Sequence, residues 1–353
     1  MKLYCHIGAP HTDAALLQAN LAANAPWLAK RGIAYGDVMA QGKSHDTLWI
    51  ACALKVPKIA ASYGIKTATD QTELRQRIGE TLKWQRAQLP AHVDRMVLSC
   101  ANLYGAMTHP QAILNLRHLL EPHFDEIEIL IYVRRQDDAI LADYAKAIRE
   151  GLLSDSFSTH AAACVQAETS PTPYLFYKFH LEKWLDVWSG HSIILRRHSD
   201  IDFIDGDIMT DMLGILLKTW TPDTEGFHRV AELPQTVSAP TLEYLRRLNE
   251  CLSGSGTAQD RDKKRHAVMA QLNELSLPPA PRPVMSANQS RDIMAKFEMA
   301  NTWLRKQFAP DLLEPFFPDR PDHPEFGNLN QLTTDDAVSL SADILAALSE
   351  RNR

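Results

Sequence analysis

The chain has 353 residues, 45% hydrophobic and 23% charged, with a net charge of −6 at pH 7. That composition is ordinary for a globular protein of one large domain or two, and the acidic balance gives no global attraction to nucleic acid or to an anionic membrane surface. The longest strongly apolar run, Ile127 to Val133 interrupted by Glu128, is far too short to span a bilayer.

The first predicted element is a strand over Leu3–Ile7, which runs through Gly8 and Pro10 into a helix beginning near Asp13. A strand, a tight turn and a helix N-terminus together aim backbone amides and the positive end of a dipole at one point, the arrangement of an anion-binding loop. Here His11, Asp13, Ala14 and Ala15 supply little positive charge and no hydroxyls, and Asp13 reads as the helix cap. The start turns polar by His11 without a small-residue cleavage site, so no signal peptide is expected and the protein reads as cytoplasmic. Gly42-Lys-Ser44 is not a nucleotide loop, because Gly36 lies one residue too far upstream and no clear strand precedes it.

A helix follows over Thr69–Leu89, opened by Asp70 and Glu73 in a capping-box-like arrangement and burying Leu74, Ile78 and Leu82. Strands over Arg95–Ser99 and Ile127–Val133 lead to a helix over Gln136–Glu150 that Gly151 stops. A helix over Tyr177–Ser189 places Phe176, Phe179, Leu181, Trp184, Leu185 and Trp188 largely inside, ahead of a strand over Ser192–Leu195. Strands alternating with helices predict an α/β fold, a parallel sheet covered by helices. Beyond Pro222 the texture changes. A helix over Thr241–Leu252, an exposed turn from Ser253, a solvated charged run over Asp260–Arg265, an extended Leu277–Pro283 and a helix over Ser290–Phe308 read as a helical extension. The predicted division is a core over residues 1–222 and a helical C-terminal region over 223–353 packed on it. The five cysteines are scattered, and His109, His118, His123, His191 and His198 show no ligand spacing, so no metal is expected.

Combined motifs carry a family resemblance over most of the length. His6-Ile-Gly-Ala-Pro-His-Thr-Asp-Ala-Ala-Leu-Leu-Gln18 falls where the bacterial P-loop sulfotransferases write H-I-G-x-P-K-T-G-T-T-S-L-Q. Gly32-Ile-Ala-Tyr35 and His45 follow at familiar spacing, and Tyr132-Val-Arg-Arg-Gln-Asp-Asp138 with Tyr144 and Gly151 is the closest match. Leu181-Glu-Lys-Trp184, Gly206–Gly214, Leu245-Arg-Arg-Leu-Asn249 and the segment around Asn301 are weaker echoes. The chain thus resembles that family, which transfers sulfuryl groups from 3′-phosphoadenosine 5′-phosphosulfate.

The resemblance implies a five-stranded parallel sheet with helices on both faces, and a cofactor site formed by Gly8, His11, Thr12, Asp13, Ala14, Ala15 and Arg134. Arg134 would meet the 3′-phosphate, Arg135 and Tyr144 the acceptor, and His11 or His45 would take the acceptor's proton. The acceptor implied is a hydroxylated molecule such as a saccharide, with neither metal nor nucleic acid as partner. Several positions depart from the pattern: the loop lysine falls at His11, the glycine at Asp13, the two hydroxyls at Ala14 and Ala15, a phosphate-binding serine at Ala142 and the strand-end glutamate at Ala101. Losing a cation and two hydroxyls while gaining a carboxylate weakens cofactor binding by about a thousandfold or more. Three readings therefore stand: a sulfotransferase with a degenerate site, an inactive relative that serves as a binding or scaffold protein with a protein partner, and a pocket that accepts a different, less anionic ligand.

Overall fold

The computed structural model describes residues 1–38, 44–166, 172–230, 237–253, 257, 263–265, 267–268, 281–320 and 323–351. Gly42 and Lys43, with parts of the charged and proline-rich segments read above, lie outside the described residues. In chain order the elements used below are β1 (Lys2–His6), α1 (Ala14–Ala23), β2 (Ile33–Tyr35), α2 (Ala68–Gln88), β3 (Arg95–Ser99), β4 (Glu126–Val133), α3 (Gln136–Arg149), α4 (Phe157–Cys164), α5 (Tyr177–Val187), β5 (Ile193–Arg197), α6 (Ile208–Leu217), α7 (Ala239–Ser253) and α8 (Ala287–Lys296).

The chain divides into two compact units. The first comprises Met1–Arg135, Phe176–Glu232 and Ala300–Phe316, and the second Gln136–Leu175, Leu233–Met299 and Phe317–Arg353. This differs from a single cut at residue 222: residues 136–175 leave the sheet unit and pack with C-terminal helices. Among the described residues no helix is long and apolar enough to cross a membrane.

In the first unit five parallel strands lie in the order β2-β3-β1-β4-β5. Tyr4, Val97, Leu130 and Tyr132 point to one face, where they meet Leu17 and Leu21 of α1 and Met209, Met212 and Leu213 of α6. The alternate residues Leu3, Cys5, Met96, Leu98, Ile129 and Ile131 are equally buried, so both faces are covered, as a parallel sheet requires. The fold is α/β. Strand β2 gave no signal beforehand, since it is only three residues long and bracketed by Gly32 and Gly36.

The register fixes where the strands end. His6 of β1 stands opposite Ser99 of β3 and Leu130 of β4, while Val133 of β4 stands opposite Arg197 of β5. Arg134 and His198 are thus the first residues beyond two neighbouring strand ends. Below them the Tyr132 hydroxyl donates to Asp211 of α6 at 2.9 Å, and Arg196 pairs with the same fully buried carboxylate.

Helix α2 begins one residue earlier than predicted, with Thr67 as the cap. Its side chain accepts from the Asp70 amide, and Asp70 accepts from the Thr67 amide. Leu74, Ile78 and Leu82 form its buried face as expected. On α5, Phe179 departs from the predicted interior: it is 60% exposed, with the Lys183 ammonium 3.6 Å from its ring centre.

The second unit is helical. Gly151, at φ 67°, ends α3 through amide bonds from Gly151 to Ile148 and from Leu152 to Ala147, so the predicted stop is observed. Asn249 of α7 donates to the carbonyls of Ile148 and Leu153 at 2.8 and 2.9 Å. Ser290 of α8 donates to the buried Asp137 of α3 at 2.5 Å, and Arg320 pairs with Asp138 at 2.8 Å. The single helix predicted over Ser290–Phe308 is two, α8 and Glu298–Phe308, separated at Phe297, and the latter belongs from Ala300 onward to the first unit.

Candidate functional site

The turn between β1 and α1 is built from left-handed residues. Gly8, His11 and Asp13 have φ values of 60°, 63° and 54°. Glycine is required at position 8 on two counts. Its backbone favours no side chain, and a Cβ there would stand 2.6 Å from Ala101 Cα and 2.8 Å from the Ala101 carbonyl oxygen. The buried Thr12 hydroxyl donates to the Ala9 carbonyl at 2.7 Å.

Asp13 occupies the cap position of α1 but does not cap it. No side-chain hydrogen bond reaches the first-turn amides, because the backbone is left-handed rather than extended as a capping aspartate's normally is. Its carboxylate instead accepts from His198 Nε2 at 2.8 Å. Burial alone would push the Asp13 carboxyl up. The bond from His198 and the charges of His198, Arg134 and His11 outweigh it and hold the group below the usual carboxylate range.

Two strand ends carry the basic side chains to this carboxylate. The His198 amide donates to Val133 at 2.7 Å and its ring packs edge-on against Phe203, so β5 delivers the imidazole in one orientation. Arg134 is held through its backbone: the Tyr177 hydroxyl of α5 accepts from its amide at 3.2 Å and donates to its carbonyl at 2.7 Å. Its guanidinium Nη1 donates to the His11 carbonyl at 3.0 Å.

On the β3 side, His45 is 1% exposed. Its Nδ1 accepts from the Ser99 amide at 2.9 Å and its Nε2 donates to the Gly36 carbonyl at 2.6 Å. Burial lowers its pKa against the opposing pull of those backbone bonds. Both ring nitrogens are committed to the strand ends, which makes it a structural histidine and leaves no nitrogen for an acceptor's proton. His6 lies beside it, with Nδ1 2.8 Å from the Ser99 hydroxyl and burial pushing its pKa down to about 4. Near the alanine at 101, Asp46 accepts from Asn102 at 2.9 Å and from the Cys100 thiol at 3.4 Å.

Of the residues singled out in the sequence, Gly8, His11, Thr12, Asp13 and Arg134 gather at the turn, and Ala14 and Ala15 open α1 behind it. Arg135, which the resemblance assigns to the acceptor, is buried at 6% exposure. Tyr144 belongs to the second unit, where its hydroxyl donates to the Asp155 carbonyl at 3.2 Å and its ring meets Phe157 and His160. Sequence reasoning passed over His198 and Tyr177. His198 carried a usable signal, since it directly follows a strand just as Arg134 does, and ligands gather at the carboxyl ends of parallel strands.

No family model matches the chain, and no curated protein matches it. Among solved structures, a sulfotransferase from Alicyclobacillus acidocaldarius is similar, at 13% identity and a TM-score of 0.39, over 78% of this chain and 96% of that one. At such a distance the fold is read from the sheet order itself.

The residues present do not fit the cradle that a phosphosulfate donor needs. A carboxylate stands at the turn, no lysine does, positions 14 and 15 carry no hydroxyl, and Thr12 donates to the loop's own backbone.

Proposed function

We propose that this chain is a sulfotransferase-like protein that holds a phosphate- or sulfate-bearing ligand at the carboxyl edge of its sheet without transferring a sulfuryl group. One observation carries the reading. Arg134 and His198 meet the turn that carries His11, where polar groups are already engaged inside the protein, Asp13 with His198 and Arg134 with the His11 carbonyl. Sulfuryl transfer depends on positioned positive charge at the departing oxygen and on a proton acceptor near the hydroxyl. His45, one acceptor that the sequence suggested, has both nitrogens bonded to backbone.

The test is a calorimetric titration of the purified chain with 3′,5′-diphosphoadenosine, run beside a transfer assay with labelled 3′-phosphoadenosine 5′-phosphosulfate and a panel of saccharides. Weak binding, with a Kd of about 100 μM or above, lost in Arg134→Ala, together with no labelled product, is the expected result. Label on any acceptor overturns the non-catalytic reading. Absence of binding and of thermal stabilisation up to saturating ligand overturns the ligand and leaves a scaffold for a protein partner. Active transfer to a hydroxylated acceptor is the second reading. It is favoured by the adjacent placement of Arg134 and His198 beyond two parallel strands, and in it His11 takes the proton.

A further inference from the structure

Basic residues from three elements meet at one turn: His198 at the end of β5 donates to the Asp13 carboxylate, Arg134 at the end of β4 donates to the His11 carbonyl, and His11 belongs to the turn itself. Asp13 reaches them by an unusual route. It takes a left-handed backbone that disfavours a side chain, and it forgoes the amide bonds of a helix cap. An aspartate selected only to start α1 gains nothing from either. Both features follow if its role is to put a negative charge between the basic groups. His198 donates to it at 2.8 Å, and Arg134 is held at the turn by Tyr177 and the His11 carbonyl.

We propose that Asp13 is a built-in surrogate anion, whose carboxylate holds His198 beside the turn that Arg134 also meets, so that an incoming tetrahedral anion drawn to these basic groups must displace it. The resting protein is latched by its own side chain, and His198 is both latch partner and ligand-binding residue. The inference rests on the reading that a phosphate- or sulfate-bearing ligand binds at this edge. The chemistry shared by a free anion and a nucleotide phosphate is the same here: a dianion carries more charge than the carboxylate it replaces, but it must first break the His198 bond. Neutralising Asp13 removes the competitor and leaves the basic groups in place.

The experiment is calorimetric titration of the full chain with sodium sulfate and, separately, with 3′,5′-diphosphoadenosine, at constant ionic strength because exposed charge pairs are screened by salt. Wild type is compared with Asp13→Asn, with Asp13→Gly, and with Asp13→Asn combined with His198→Ala. Asparagine tolerates the left-handed backbone and glycine adopts it freely, so at least one single variant is expected to fold, as a melting curve without ligand shows. The expected result is at least about tenfold tighter binding in both single variants, with most of the gain lost in the double variant. A gain with diphosphoadenosine alone assigns the site to a nucleotide phosphate, and a gain with both probes assigns it to the tetrahedral anion itself. Equal affinity in wild type and single variants overturns the latch while the ligand reading stands. A gain that survives loss of His198 overturns that residue's role. Binding by none of the proteins removes the latch together with the ligand reading.

Discussion

His45 and Gly8 show how residue-scale roles diverge from residue-scale chemistry. Imidazole suits proton transfer, yet His45 ties Gly36 to Ser99 across the ends of β2 and β3. Its replacement by alanine removes two buried hydrogen bonds and opens a cavity, an expected loss of about 2–4 kcal/mol. Urea denaturation checks it, and a loss under about 1 kcal/mol contradicts the structural role. Gly8→Ala combines a left-handed backbone with a 2.6 Å approach to Ala101 Cα, backbone that cannot rotate away. The expected cost is about 2 kcal/mol or more, read as a lowered Tm. Neither role was visible in the sequence, because neither a histidine's partners nor the atom opposite a glycine is local to the chain.

At the scale of elements the sequence is more legible, for a physical reason. Strands β1, β3 and β4 and the inner face of α2 declare themselves through apolar runs and helical spacing, and Gly151 ends α3 as its conformational freedom suggests. The β1–α1 turn was legible as an anion-loop remnant, but Asp13 read as a cap, because a cap and a long-range ion pair use the same residue. His198, 185 positions away, is what decides between them. Helix α4 offers a separate pH test. His160 and Cys164 lie one turn apart, with His160 Nε2 3.3 Å from both Asp143 and the Cys164 sulfur. Tyr174 donates to the same Asp143 and Tyr144 flanks the ring. Burial lowers the His160 pKa, but the bonds to Asp143 and Cys164 outweigh it and raise it to about 9. A pKa raised on folding adds stability that is complete below the unfolded value near 6.5 and fades as pH climbs to about 9. Stability is therefore expected to fall by about 1–3 kcal/mol across that window and to fall less in His160→Gln. Denaturation midpoints at pH 6 and pH 9 give the comparison, and identical slopes in both proteins contradict it.

For the whole molecule, the division into units was the least legible feature. Composition shifts near residue 222, but the second unit is assembled from three separate stretches. Its joints are single side chains distant in sequence, such as Asn249 on the end of α3 and Ser290 on Asp137. A fragment ending at residue 222 keeps α3 and α4 while losing α7 and α8. It is expected to be poorly soluble, with proteolysis beginning in residues 136–175, whereas a fully resistant fragment shows that this stretch needs no C-terminal partner. The Ser290–Asp137 bond also bears on the protein's birth at the ribosome. Asp137 is synthesised 153 residues before its partner, a wait of about 8–30 s at an elongation rate of about 5–20 residues per second. Through that interval the nascent chain carries a nearly complete sheet and an acidic residue whose α8 partner does not yet exist, so the start of α3 should be a chaperone client until α8 has emerged.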